Sequence, residues 1–223
     1  MLLSLEPDIL NIFRKISLFG ALIPFSISLL RFRQIPRRFK LIIVFTLIST
    51  IGELTATVLV LLRTGNTLPG LHIYTLAEGV ILLLFYSQLL LKKIRPAFFW
   101  ITIVFFSLFT ILNSIFLQSI FEINSNARTV EALLILGCAI LFYFHLLESE
   151  ETESIKRSLL WINNAIFLYF SVSLLFFISG SYVLTNYPMS VSKLIWDMHK
   201  VFHLIFQIIL ARGIWLLGKK AAF

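Results

Sequence analysis

The chain has 223 residues, of which 59% are hydrophobic and 13% charged, and its mean hydropathy is +0.95. A soluble domain carries about 25% charged residues; this chain has too little polar surface to cover a water-soluble globule, so lipid must be its main solvent. The formal charge of +8 does not imply a nucleic-acid partner, because the basic residues sit at the ends of apolar segments, where they serve as topology signals and contacts to membrane lipids.

The first residues do not read as a cleavable leader. Glu6 and Asp8 precede Arg14 and Lys15, and a basic lead with a small-residue cleavage site is missing. The first apolar segment is therefore expected to stay as an anchor. A span needs about 20 mostly apolar residues, and seven segments qualify, near 10–31, 41–63, 70–91, 97–118, 129–147, 159–183 and 193–217. The connectors are short and carry turn and charge punctuation: RQIPRR, RTGNTLPG, KKIRP, QSIFEINSNAR, ESEETESIKR and TNYPMS. No soluble domain fits in them. The expectation is an all-α, multi-pass bundle of seven transmembrane helices forming a single membrane domain. The lone cysteine, Cys138, lies in an apolar run and reads as a small core residue.

The positive-inside rule then orients the chain. Arg31, Arg33, Arg37, Arg38 and Lys40 follow the first span, Lys92, Lys93 and Arg95 the third, Lys156 and Arg157 the fifth, and Lys219 and Lys220 the seventh. The opposite side holds Arg14, Lys15, Arg63, Arg128 and Lys193. The excess places the N-terminus outside and the C-terminus in the cytoplasm, and the expected location is the bacterial inner membrane. The acidic run ESEETES (148–154) is expected to be a solvated cytoplasmic turn, with contact to a basic partner as its functional alternative.

Orientation converts position into depth. Glu53 in the second span falls near mid-depth. His72, Tyr74 and Glu78 fall in the outer half of the third span, and Asp197, His199, Lys200 and His203 in the outer half of the seventh. Glu131 begins the fifth span. Spacing adds detail: His199, His203 and Gln207 form one stripe, Tyr74 and Glu78 share a face, and so do Ser49, Glu53 and Thr57. A carboxylate at the bilayer centre costs roughly 2.5–3.5 kcal/mol on insertion scales. Glu53 and Glu78 should therefore face the bundle interior, paired with Lys200, a histidine or each other. A carboxylate pair would share a proton, because burial and like charge both favour the neutral form.

Several chemistries fit such a cluster. It can be a polar network that only fixes helix packing. A retinal Schiff base on Lys200 with Glu78 as counterion fits poorly, since Lys200 lies close to the outer edge. HxxxH at His199 and His203 resembles the last span of the seven-span zinc hydrolases of the alkaline ceramidase and adiponectin-receptor-like kind, which implies zinc held by His199, His203 and Glu53; the family's further histidine on the second span is missing here. The preferred reading is non-enzymatic. An outer-half pocket of Glu53, His72, Tyr74, Glu78, His199, Lys200 and His203 would bind a small polar ligand or a proton, or handle a small solute, without a cofactor.

The stretches GLHIYTLAEGVILLLFYSQ (70–88) and WINNAIFLYFSVSLLFFISGSY (161–182) resemble an uncharacterised family of small bacterial seven-span membrane proteins. His72, Tyr74 and Glu78 match its third span, and Trp161, Asn163 and Tyr169 its sixth. The resemblance implies a sensory or accessory role beside a signalling partner protein and brings no activity with it. Asn163 and Asn164 are expected to bond across helices, and Trp161 to sit in an interfacial aromatic belt.

Overall fold

The computed structural model describes residues 19–62, 66–91 and 93–218. Arg14, Lys15 and residues 10–18 of the first expected span lie outside the described residues, as do Glu6, Asp8, Arg63, Lys92, Lys219 and Lys220. Among the described residues seven α-helices follow in order: α1 (Leu22–Leu30), α2 (Leu41–Leu61), α3 (Leu68–Leu90), α4 (Pro96–Leu112), α5 (Ser125–Glu148), α6 (Glu153–Asn186) and α7 (Met189–Leu217). Among the described residues there is no strand. Helices are the expected answer to hydrocarbon, which offers the backbone no outside partners.

Six helices, rather than the seven expected, are long and apolar enough to cross a membrane among the described residues. The exception is α1, of which nine residues are described. The other helices match the expected spans but overrun several of them. α5 starts at Ser125 and α6 runs for 34 residues, past both ends of its apolar stretch. Backbone hydrogen bonding continues where the hydrophobic pattern has already stopped, so hydropathy alone sets the ends too short. Proline marks the starts: Pro69 and Pro96 sit in the first turns of α3 and α4, and Pro188 caps α7. At these places a missing N–H costs no helical bond.

The helices close a ring in the order α1, α2, α3, α5, α6, α7 and back to α1, with α4 docked outside against α3 and α5. One continuous core fills the ring, built on Phe45, Leu82, Tyr86, Ile135, Phe142, Phe170 and Leu210. α4 is the least enclosed helix. It buries Phe99, Ile103, Phe106 and Thr110, one face at helical spacing, and exposes Ile101, Phe105, Leu108 and Leu112 on the other. That outer face suits an apolar surrounding such as lipid. α6 packs closely on α7: a Cβ on Gly213 would come within 2.6 Å of the Ile162 side chain and 2.9 Å of its backbone nitrogen. Asn163 stitches the interior. It accepts from the Tyr86 hydroxyl at 2.7 Å and donates to the Ala139 carbonyl at 3.1 Å, joining α6 to α3 and α5. Asn164 accepts from the Tyr143 hydroxyl at 2.6 Å.

The two ends of the bundle differ. One end carries the connectors around 31–40, 91–95 and 149–152 and is basic. There the acidic run folds back onto it: Arg38 holds Glu151 with two bonds of 2.6 Å, Lys93 reaches Glu148 at 2.5 Å, and Lys156 lies 3.5 Å from Glu153. These pairs engage the run within the chain itself. Arg31 stacks over Trp215 at 3.9 Å and donates to the Gly218 carbonyl at 3.3 Å, closing α1 onto the end of α7. The other half of the bundle holds the buried ion pairs.

Candidate functional site

The polar layer is built from the second half of α2 and the first halves of α3, α5 and α7, with α6 as its wall. Its centre is Arg128. The guanidinium contacts Glu78 of α3 through Nη1, and the same nitrogen lies 3.0 Å from Glu131 of its own helix. All three residues are nearly sealed, at 2%, 4% and 1% exposure for Glu78, Arg128 and Glu131. The rings of Tyr74 and Phe177 cover the guanidinium, each centred 5.2 Å from it.

Hydrogen bonds extend the centre toward α2. The Tyr74 hydroxyl donates to Glu78 Oε1 at 2.8 Å and lies 3.2 Å from Ser49 Oγ. Because Tyr74 spends its proton on the carboxylate, Ser49 is the donor of that second bond. Ser49 stands one helical turn before Glu53, which begins a second, half-buried group. Glu53 Oε2 accepts from the Ala21 backbone N–H at 2.8 Å, and Oε1 lies 3.1 Å from His203 Nδ1. His203 Nε2 lies 3.0 Å from the Gln207 side-chain nitrogen. An amide NH₂ only donates, so His203 Nε2 accepts and the ring proton sits on Nδ1, facing Glu53. Gln207 Oε1 has no hydrogen-bond partner among the described residues. Tyr169 of α6 walls both groups: its ring stacks on Phe206 at 4.7 Å and lies 5.8 Å from His199 and 5.5 Å from His203.

The expected site residues therefore divide. Tyr74 and Glu78 meet at the centre, and Glu53 and His203 form the adjoining pair. Glu53 finds a histidine, one of the partners anticipated for it; Glu78 finds Arg128, which hydropathy had left in a loop. His72 bonds elsewhere, to Ser114 Oγ at 2.7 Å and the Glu122 carbonyl at 3.2 Å, at the π-helical turn Asn113–Leu117 that ends α4. Lys200 does not reach the centre. Its half-exposed side chain lies 3.1 Å from Asp197 one turn away, as a long flexible cation does when it can swing toward water.

His199 bonds Ser173 Oγ at 3.0 Å and packs among Phe176, Phe177 and Trp196. Its ligand nitrogen is thus engaged apart from the Glu53–His203 pair. Among the described residues no group of three or more His, Cys, Asp or Glu side chains is arranged to hold a metal ion. The set Glu53, His199 and His203 is not brought together as zinc ligands.

Arg128, Glu131 and Tyr169 are the residues that sequence reading underrated. The available signal was an opposite-charge pair spaced i, i+3 at the start of an apolar helix, facing an unmatched glutamate at the same depth. A groove of about 380 Å³ lies between α4, α5 and α6, lined by Phe109, Asn126, Thr129 and Phe177, and none of the anticipated site residues lines it.

Six long apolar helices around one core define a multi-pass membrane protein. No family model, curated protein or solved structure matches the chain.

Proposed function

We propose that this is a non-enzymatic, proton-responsive membrane protein of the bacterial inner membrane, with its N-terminus outside, its C-terminus in the cytoplasm and the polar layer in the outer half. One observation carries the reading: two sealed carboxylates, Glu78 and Glu131, share a single guanidinium. Fully ionised, the trio keeps one uncompensated negative charge in a setting where each buried ion costs several kcal/mol. One bound proton removes it. The close, nearly solvent-free packing around the trio favours a proton over a bulkier ligand. Loss of the proton leaves a charge that only a rearranged bundle or entering water can stabilise, which couples pH to conformation.

The test is a proton count. Wild-type protein in lipid nanodiscs, taken from alkaline to acidic buffer with an indicator dye, should bind one more proton per chain than the Glu78→Gln/Glu131→Gln variant. Equal uptake by the two, with normal stability of the variant, would make the trio a packing brace. Elemental analysis separates the reading from a zinc hydrolase: stoichiometric zinc that disappears in His203→Ala would overturn it.

A further inference from the structure

We infer that the proton of the buried trio resides on one atom, Oε1 of Glu131, in a dry crevice between α3, α4 and α5. The inference rests on the proton-binding reading and assigns its site. The two carboxylates are not equivalent. Both oxygens of Glu78 are engaged, Oε1 by the Tyr74 hydroxyl and Oε2 by Arg128. A proton added there would displace a donor already in place. Glu131 binds Arg128 through Oε2 alone, and its Oε1 is buried with no hydrogen-bond partner among the described residues.

An ionised oxygen without a donor is the costliest group to bury, and the same oxygen as O–H carries no net charge. Oε1 faces a narrow crevice lined by Gly79, Leu83, Phe106, Leu134 and Ile135, which offers it no polar group. Gly79 makes that space: a Cβ there would meet the Phe106 ring at 2.4 Å and Oε1 at 3.3 Å. Phe106 is fully buried and closes the crevice from the α4 side.

The ionisable surroundings are asymmetric. Arg128 comes from the same helix, Glu78 and Tyr74 from α3, Tyr169 from α6, and His199, which also feels Arg128, from α7. From α4 comes only Phe106. The charged form of Glu131 is thus supported on its Arg128 side and opposed on its α4 side. Binding adds the proton to the free oxygen, and release returns the group to a carboxylate that still holds Arg128 through Oε2. No other bond has to change.

The test is infrared difference spectroscopy between alkaline and acidic buffer, read at the carbonyl stretch of protonated carboxyl groups. Wild-type protein should show the band, Glu131→Gln should lose it, Glu53→Gln should keep it, and Glu78→Gln, which leaves Arg128 matched by a single carboxylate, should lose it as well. Retention in Glu131→Gln would move the proton to another residue and overturn this assignment while leaving the proton-binding reading intact; so would a Phe106→Ala variant whose band exchanges with D₂O as in wild-type protein, since Phe106 borders Glu131 in the crevice. Absence of any carboxyl band in wild-type protein would sink both. A second readout needs no change at the carboxyl: on transfer to D₂O the wild-type band should shift only after a lag, and Phe106→Ala, which admits water, should abolish the lag. An immediate shift in wild-type protein would contradict the dry crevice.

Discussion

The basic end and the buried polar layer use the same pairing of arginine and lysine with glutamate, to different effect. At the basic end Arg38 and Glu151 form a two-bond fork with ideal distances, yet the arginine side chain is 53% exposed. Water already solvates both ions, so the fork adds little. In the polar layer one guanidinium serves two carboxylates with almost no solvent, and no pair there is dispensable. Bond geometry ranks the two regions wrongly; the surrounding medium ranks them correctly. Salt bridges at the rim fix how connectors lie, whereas those inside decide the charge state of the bundle.

Substitutions can break or sharpen this contrast. The largest effect is expected from Arg128→Met, which strands two buried carboxylates. Removing one partner of a buried ion pair costs about 3–5 kcal/mol, read as a fall in detergent-resistant folding or in unfolding free energy. Gly213→Ala tests packing without charge. The new methyl must push Ile162 and its backbone aside, a strain of about 1–3 kcal/mol, and thermal unfolding in lipid should report it. Asn163→Ala removes two interhelical bonds and leaves the Tyr86 hydroxyl without its acceptor; roughly 1–2 kcal/mol is expected from hydrogen bonds of this kind in membranes, and reduced amide protection in α3, α5 and α6 would show it. Smallest is Arg38→Ala, at about 0–1 kcal/mol, with a response to salt that the interior variants lack. An Arg38→Ala cost equal to that of Arg128→Met would erase the distinction between the regions.

Much of the bundle is legible in the chain because apolar length is a strong signal: α2 to α7 fall where continuous hydrophobic stretches lie. The gathering of acids and histidines at one level is legible too, since chain direction converts position into depth. Partner choice is not. Glu78 was visible as an interior acid, but Arg128 is the fourth residue of α5, at the end of the polar stretch SNAR that reads as connector. Lys200 and His72 lie at the right level and still bond elsewhere, because helix rotation and the nearest alternative donor or acceptor decide the pairing. Asp197 one turn from Lys200, and Ser114 opposite His72, are such alternatives. The HxxxH spacing places two imidazoles on one face of α7, but the rings on α6 separate their uses.

The most direct test of the central claim is a charge-rescue comparison of unfolding free energy in lipid, Arg128→Met against Arg128→Met/Glu78→Gln/Glu131→Gln. If the trio is a single charge-balanced unit, neutralising both acids should restore most of the stability that Arg128→Met loses. A triple variant no more stable than Arg128→Met would show that the arginine acts by packing alone, and would contradict the account.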